Sequence, residues 1–126
     1  MAWCFEDEAG AETDRLLERL RDEGARVPSL WFWEVANVLT GAVRRGRLTP
    51  TEATARLGLL AALPIEIDHE AASRAWRETL MLAQAHDLTV YDAAYLELAA
   101  RRRADLATSD KALRIAGAQL GLSVIP

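Results

Sequence analysis

At 126 residues, 51% hydrophobic and 27% charged, the chain has the size and composition of one globular domain and is too apolar for a disordered one. Fifteen basic residues against nineteen acidic ones leave a formal charge of −4, which excludes a whole-chain polycationic grip on nucleic acid. Cys4 stands alone, so no internal disulfide forms. No apolar run approaches a membrane span, and the start lacks the basic-then-apolar pattern of a signal peptide. The expected setting is a reducing, cytoplasmic one with no membrane partner.

Helical periodicity dominates the chain. Residues 9–23 place Leu16, Leu17 and Leu20 on one face, and Gly24 stops the helix. Arg26-Val27-Pro28 is too short to assign. Ser29 can cap a helix through Leu30, Val35, Val38, Leu39 and Ala42 to Arg45, with Gly46 ending it. Thr49-Pro50-Thr51-Glu52 is the clearest local signal: an N-cap, a proline suited to the first helical position and a capping-box glutamate. That helix should run to about Ala61.

Leu63–Ile67 reads as a short strand, and Asp68 can cap a long helix from His69 to about Ala85. A further helix covers roughly Val90 to Arg103. Asp105–Thr108 is strand-length, Ser109-Asp110 opens a helix that Gly121 stops, and Leu122–Ile125 is a last strand. Short strands between helices predict an α/β layered domain with a short parallel sheet and helices dominating; a pure helical bundle is the competing arrangement. With no linker or repeat, residues 1–126 read as a single domain.

Three acids invite chemistry. In an open parallel sheet, sites form beyond the carboxyl ends of the strands, where loops lead into helices. Asp110 holds such a position, although its carboxylate would serve equally as a plain helix cap. Asp92 lies in the opening turn of the helix after Thr89-Val90, where an acid also complements the helix dipole. Glu34 sits among Leu30, Trp31, Phe32, Trp33, Val35 and Ala36. A carboxylate there must reach solvent or be compensated by something positive, and a divalent cation held by several acids would suffice.

Three segments carry a resemblance. Pro28-Ser29-Leu30-Trp31-Phe32-Trp33-Glu34-Val35-Ala36-Asn37-Val38-Leu39, Thr89-Val90-Tyr91-Asp92-Ala93-Ala94-Tyr95-Leu96-Glu97-Leu98-Ala99 and Leu106-Ala107-Thr108-Ser109-Asp110-Lys111-Ala112-Leu113 resemble, in order and spacing, the acidic motifs of PIN-domain ribonucleases. The closer likeness is to the VapC-type toxins of VapBC toxin–antitoxin pairs. The resemblance implies a PIN-like three-layer α/β/α fold. It implies that Glu34, Asp92 and Asp110 form an acidic cluster for Mg²⁺ or Mn²⁺, with Thr108 as the polar residue beside it. It also implies an RNA substrate cleaved by metal-activated water, a cognate antitoxin and a homodimer. Arg44, Arg45 and Arg47, or the run Arg101-Arg102-Arg103, could steer RNA, with a solvated face as the plainer reading of each.

The resemblance also implies a first strand ending in a metal-binding Asp just before a stretch like Ala2–Glu8. Here Met1-Ala2-Trp3-Cys4-Phe5 runs straight into Glu6-Asp7-Glu8, so the expectation is an internal Met of a longer frame or a degraded copy of the gene, with weak or no activity for the chain as given. An impaired relic that keeps only an antitoxin-binding or dimerising surface is therefore the alternative function. Of Trp3, Trp31, Trp33 and Trp76, most are expected in the core, with Trp31 and Trp33 on different faces of one helix and the exposed one free for an interface. Tyr91 and Tyr95, four apart, are expected to pack. His69 and His86 read as capping or solvated residues, and Cys4 as a small buried side chain.

Overall fold

The structure, a computed structural model, describes residues 11–125. The chain forms two compact units: the first takes residues up to Arg26 and Leu30–Glu66, the second Val27–Ser29 and Ile67 onward.

The first unit holds three helices, α1 (Ala11–Glu23), α2 (Leu30–Arg44) and α3 (Pro50–Ala61). On α1, Leu16, Leu17 and Leu20 are half-buried and the charged residues around them face solvent. Gly24 ends it at φ +75°, and a Cβ there would stand 2.7 Å from the Pro64 carbonyl oxygen. Only glycine meets both the left-handed backbone and that close approach. Trp31, Val35, Leu39 and Ala42 form the buried stripe of α2 at helical spacing, with the Phe32 ring edge-on to Trp31 at 5.0 Å. The capping box of α3 is complete: Glu52 N–H donates to Thr49 Oγ1 at 3.1 Å, and Thr49 N–H returns to Glu52 Oε1 at 3.4 Å. The helix ends at Ala61, as its sequence predicts.

Two strands, β1 (Ala25–Pro28) and β2 (Ile65–Asp68), form a two-stranded sheet, which gives Arg26-Val27-Pro28 a role that its length hides.

The second unit is built around α6 (Val90–Arg102). Leu96 and Ala99 of this helix bury against Leu106, Leu113 and Ala116, with Leu82, Leu88, Tyr95 and Leu122 packed at the margin. Before α6 come α4 (Ala71–Arg74), a π-helical turn (Ala75–Thr79) and α5 (Leu80–His86), so the helix predicted over 69–85 forms as one continuous stretch with a π turn in its middle. Then follow β3 (Leu106–Ala107), α7 (Lys111–Gln119) and β4 (Val124–Ile125). Strands β3 and β4 pair in parallel, Leu106 opposite Val124 and Ala107 opposite Ile125. Gly117 lets α7 approach them: a Cβ would lie 2.9 Å from Val124 Cγ2 and 3.0 Å from Leu106 Cδ2. The helix therefore tolerates a residue that disfavours helix by roughly 1 kcal/mol.

The short strands support the α/β expectation over the helical bundle, but the described strands form two two-stranded sheets rather than one. Several expectations need correcting. Asp68 caps no helix; it ends β2, and α4 begins two residues later than predicted, after Glu70. Tryptophans are not mostly core: Trp31 is buried, whereas Trp33 is 77% and Trp76 91% exposed. The π turn adds a register shift that sequence periodicity does not display. Tyr95 does pack, but Tyr91, in the first turn of α6, is exposed. Trp3, Cys4 and Glu6–Glu8 lie outside the described residues.

Candidate functional site

Asp92 and Asp110 both head helices of the second unit. Thr89, extended at ψ 156°, caps α6, its Oγ1 accepting the Asp92 N–H at 3.0 Å. The next residues, Ala93, Ala94, Leu96, Leu98 and Ala99, are buried, so the apolar face fixes the helix on which Asp92 rides. Asp92 is half-buried, and its carboxylate has no hydrogen-bond or ion-pair partner among the described residues.

Thr108 and Asp110 are brought together by the loop between β3 and α7. Thr108 N–H donates to the Ile125 carbonyl at 3.0 Å and continues the parallel ladder beyond the last strand residue. Its Oγ1 accepts the Asp110 N–H at 3.1 Å, and its carbonyl accepts from Arg114 at 2.9 Å. Asp110 caps α7, with Oδ2 accepting the Leu113 N–H at 2.9 Å. The capping role weighed from sequence is thus real. It occupies one carboxylate oxygen and leaves Oδ1 outside the cap. Helices α6 and α7 pack on each other within this unit.

Glu34 belongs to the first unit. It is half-buried on α2, between exposed Trp33 and buried Val35. Among the described residues, no three His, Cys, Asp or Glu side chains stand together as a metal cluster would require.

Sequence reasoning missed a charge network in the second unit. Arg101 donates to Asp68 through Nη2 at 2.6 Å and Nη1 at 3.0 Å, and to Glu97 through Nε at 2.8 Å and Nη2 at 3.1 Å. Glu70 lies 3.3 Å from the same guanidinium, Arg102 reaches Asp68 at 3.4 Å, and Arg74 lies 3.6 Å from Glu97. Asp68 and Glu97 are buried, yet no buried side-chain polar atom among the described residues lacks a hydrogen-bond partner. Paired hydrogen bonds from Arg101 hold the Asp68 carboxyl below its ordinary range, outweighing burial, which alone would raise it. Asp68 and Glu97 in turn push the Arg101 guanidinium further toward its charged form. The Arg101-Arg102-Arg103 run is therefore divided: Arg101 is locked inside, Arg102 is exposed and leans on the same acid, and Arg103 is exposed. The spacing of Glu97 and Arg101, i and i+4 with the acid first, was the available signal. Arg44, Arg45 and Arg47 are exposed, which both readings of that run allow.

The sequence profile of the PIN domain matches residues 1–118. The chain belongs to the PIN domain family. No curated protein matches it. The mostly helical α/β architecture with short parallel pairing agrees with the PIN fold, and membership carries a nuclease-type hydrolase function that typically uses divalent metal ions. The donors of this PIN domain suit such an ion in kind. Carboxylate oxygens are hard ligands, Asp92 has no competing partner among the described residues, and Asp110 keeps Oδ1 outside its cap. Mg²⁺ commonly needs only one or two carboxylates, with water and substrate phosphate completing the shell. Among the described residues, no helix is long and apolar enough to cross a membrane.

Proposed function

We propose that this PIN domain is a metal-dependent endoribonuclease, the toxin of a toxin–antitoxin pair. The observation that carries the reading is the pair of carboxylates, Asp92 and Asp110, heading two packed helices inside the segment matched by the family profile. In this reading Asp92 and Asp110 would hold Mg²⁺ or Mn²⁺, with Thr108 beside Asp110. A cation held there would supply Lewis-acid chemistry, activation of a water and neutralisation of phosphodiester charge. The protein's own residues hold the geometry. Thr108 Oγ1 and the Asp110 cap fix the loop after β3, so that Asp110 presents Oδ1 from a tied backbone. Thr89 fixes the first turn of α6 and with it Asp92. An acidic site repels RNA until a cation occupies it, a second reason for cleavage to depend on metal. A cognate antitoxin, a homodimeric state and a cytoplasmic setting belong to the same proposal.

The test is cleavage of a mixed RNA pool with and without Mg²⁺ or Mn²⁺. Cleavage should require metal and fall by at least two orders of magnitude in Asp92→Asn and in Asp110→Asn, a loss on the scale of removing a charge-stabilising group. Thermal stability should rise at millimolar metal, because an ion bound to the native state alone stabilises it by mass action. Cleavage insensitive to metal, or no cleavage at all, would overturn the proposal.

A further inference from the structure

The first unit contains a cleft that the nuclease reading does not use. It has a volume of about 340 Å³ and is lined by Leu17 and Arg21 of α1, Arg56, Leu59 and Leu60 of α3, and Leu63 just beyond it. Since one water occupies roughly 30 Å³ of liquid, the space exceeds what a few ordered solvent molecules fill. Its floor is apolar, and one wall, Leu59, is 69% exposed, so the cleft opens to solvent.

Two guanidinium groups border this apolar floor, and neither Arg21 nor Arg56 has a hydrogen-bond or ion-pair partner among the described residues. Arg56 is half-buried, Arg21 exposed. Of the acids on α1 and α3, Glu23 pairs with Arg19 at 2.9 Å, Glu52, one turn before Arg56, is held in the capping box, and the exposed Glu18, one turn before Arg21, forms no ion pair with it. Two arginines without an ion-pair partner among the described residues, beside the exposed Leu59, make a cationic edge on an apolar floor. A partner that fits must bring apolar side chains and carboxylates together. A small free ligand is the weaker match, because such ligands are mostly enclosed by their pockets.

We infer that this cleft docks an acidic–apolar peptide segment of a partner protein, its apolar side chain seated on Leu17, Leu60 and Leu63 and its carboxylates on Arg21 and Arg56. Arginine with an apolar anchor is a recurrent pairing at such contacts. The inference does not depend on nuclease activity.

The experiment is selection from a random-peptide display library on the full chain, followed by fluorescence anisotropy with the most enriched peptide. Enriched sequences should combine Asp or Glu with Leu, Ile, Met or Phe. Affinity should fall about tenfold in the Arg21→Glu, Arg56→Glu double variant, the scale of two partly exposed ion pairs lost. A peptide with Lys in place of its acids should bind that variant better than it binds the original chain, a rescue that an unfolded variant could not give. Enrichment of basic or purely polar peptides would overturn the inference, as would an affinity indifferent to the charge reversal. Dodecanoate binding that depends on both arginines, with no peptide enriched, would assign the cleft to a small amphiphile and overturn it as well.

Discussion

The two units reach their stability by different means. Among the described residues of the first, every buried one is apolar: Trp31, Val35, Leu39, Ala42, Leu48 and Leu60. In the second, Asp68, Glu97 and Thr79 are buried alongside Leu96, Leu106 and Leu113. An apolar core is non-directional and forgiving of small shifts, whereas an ion network is stable only while every partner is present. The first unit should therefore respond to lost volume and the second to lost charge.

Arg101→Ala should have the largest effect. It leaves two buried carboxylates without their shared cation and should cost about 3–5 kcal/mol, read from urea unfolding. A loss under about 1 kcal/mol would place the network among inconsequential surface pairs. Leu39→Ala is the counterpart in the first unit. Truncating a side chain that is 2% exposed should cost about 2–5 kcal/mol, depending on how far the surrounding residues collapse. If this substitution were nearly neutral while Arg101→Ala unfolded the protein, packing would not be what holds α2.

Acid should separate the two units more finely. Because Asp68 has a lowered carboxyl pKa, its stabilising contribution is complete above its ordinary value of 3.8 and is lost as pH falls below that value toward the depressed native one. Stabilities of the original chain and Asp68→Asn should accordingly differ at neutral pH and converge in that acid range. Parallel curves would contradict the assignment of the pKa shift. Gly117→Ala follows, at about 1–3 kcal/mol, since a methyl group would press on Val124 and Leu106 in the packed second unit. A gain in helicity with no loss of thermal stability would show that α7 can shift to accommodate it. The smallest effect is Thr49→Ala, about 1 kcal/mol, through loss of the cap that starts α3. Circular dichroism melting is sufficient to resolve it.

What the sequence disclosed follows the range of the interactions involved. Gly24, Gly46 and Gly121 were legible as helix stops because a left-handed residue is a local demand, and all three have positive φ. The box at Thr49 and Glu52 spans three residues and was read in full. Asp110 was legible as a cap for the same reason, and the cap does not distinguish a structural role from a ligand role. The Asp68–Arg101 pair was hidden because its partners are 33 residues apart, and three consecutive arginines suggest solvent. Trp76 was misjudged because composition favours burial of large aromatics, whereas orientation is set by the register of the helix that carries them. The π turn left no trace in the periodicity, because five residues are too few to shift a pattern of apolar spacing.

That turn makes the chain unusually sensitive to length at one place. An α-helix advances about 100° per residue, and a π turn accommodates one residue more than an α-helical turn would. Deleting a single residue from Ala75–Thr79 would restore regular hydrogen bonding, yet everything upstream would rotate by about 100° against Leu82 and Ala83, which face the core side of α5. Arg74 would swing away from Glu97, and Trp76 would lose its outward aspect. The local backbone would improve while the register failed, so this helix should accept many substitutions but no change in its residue count.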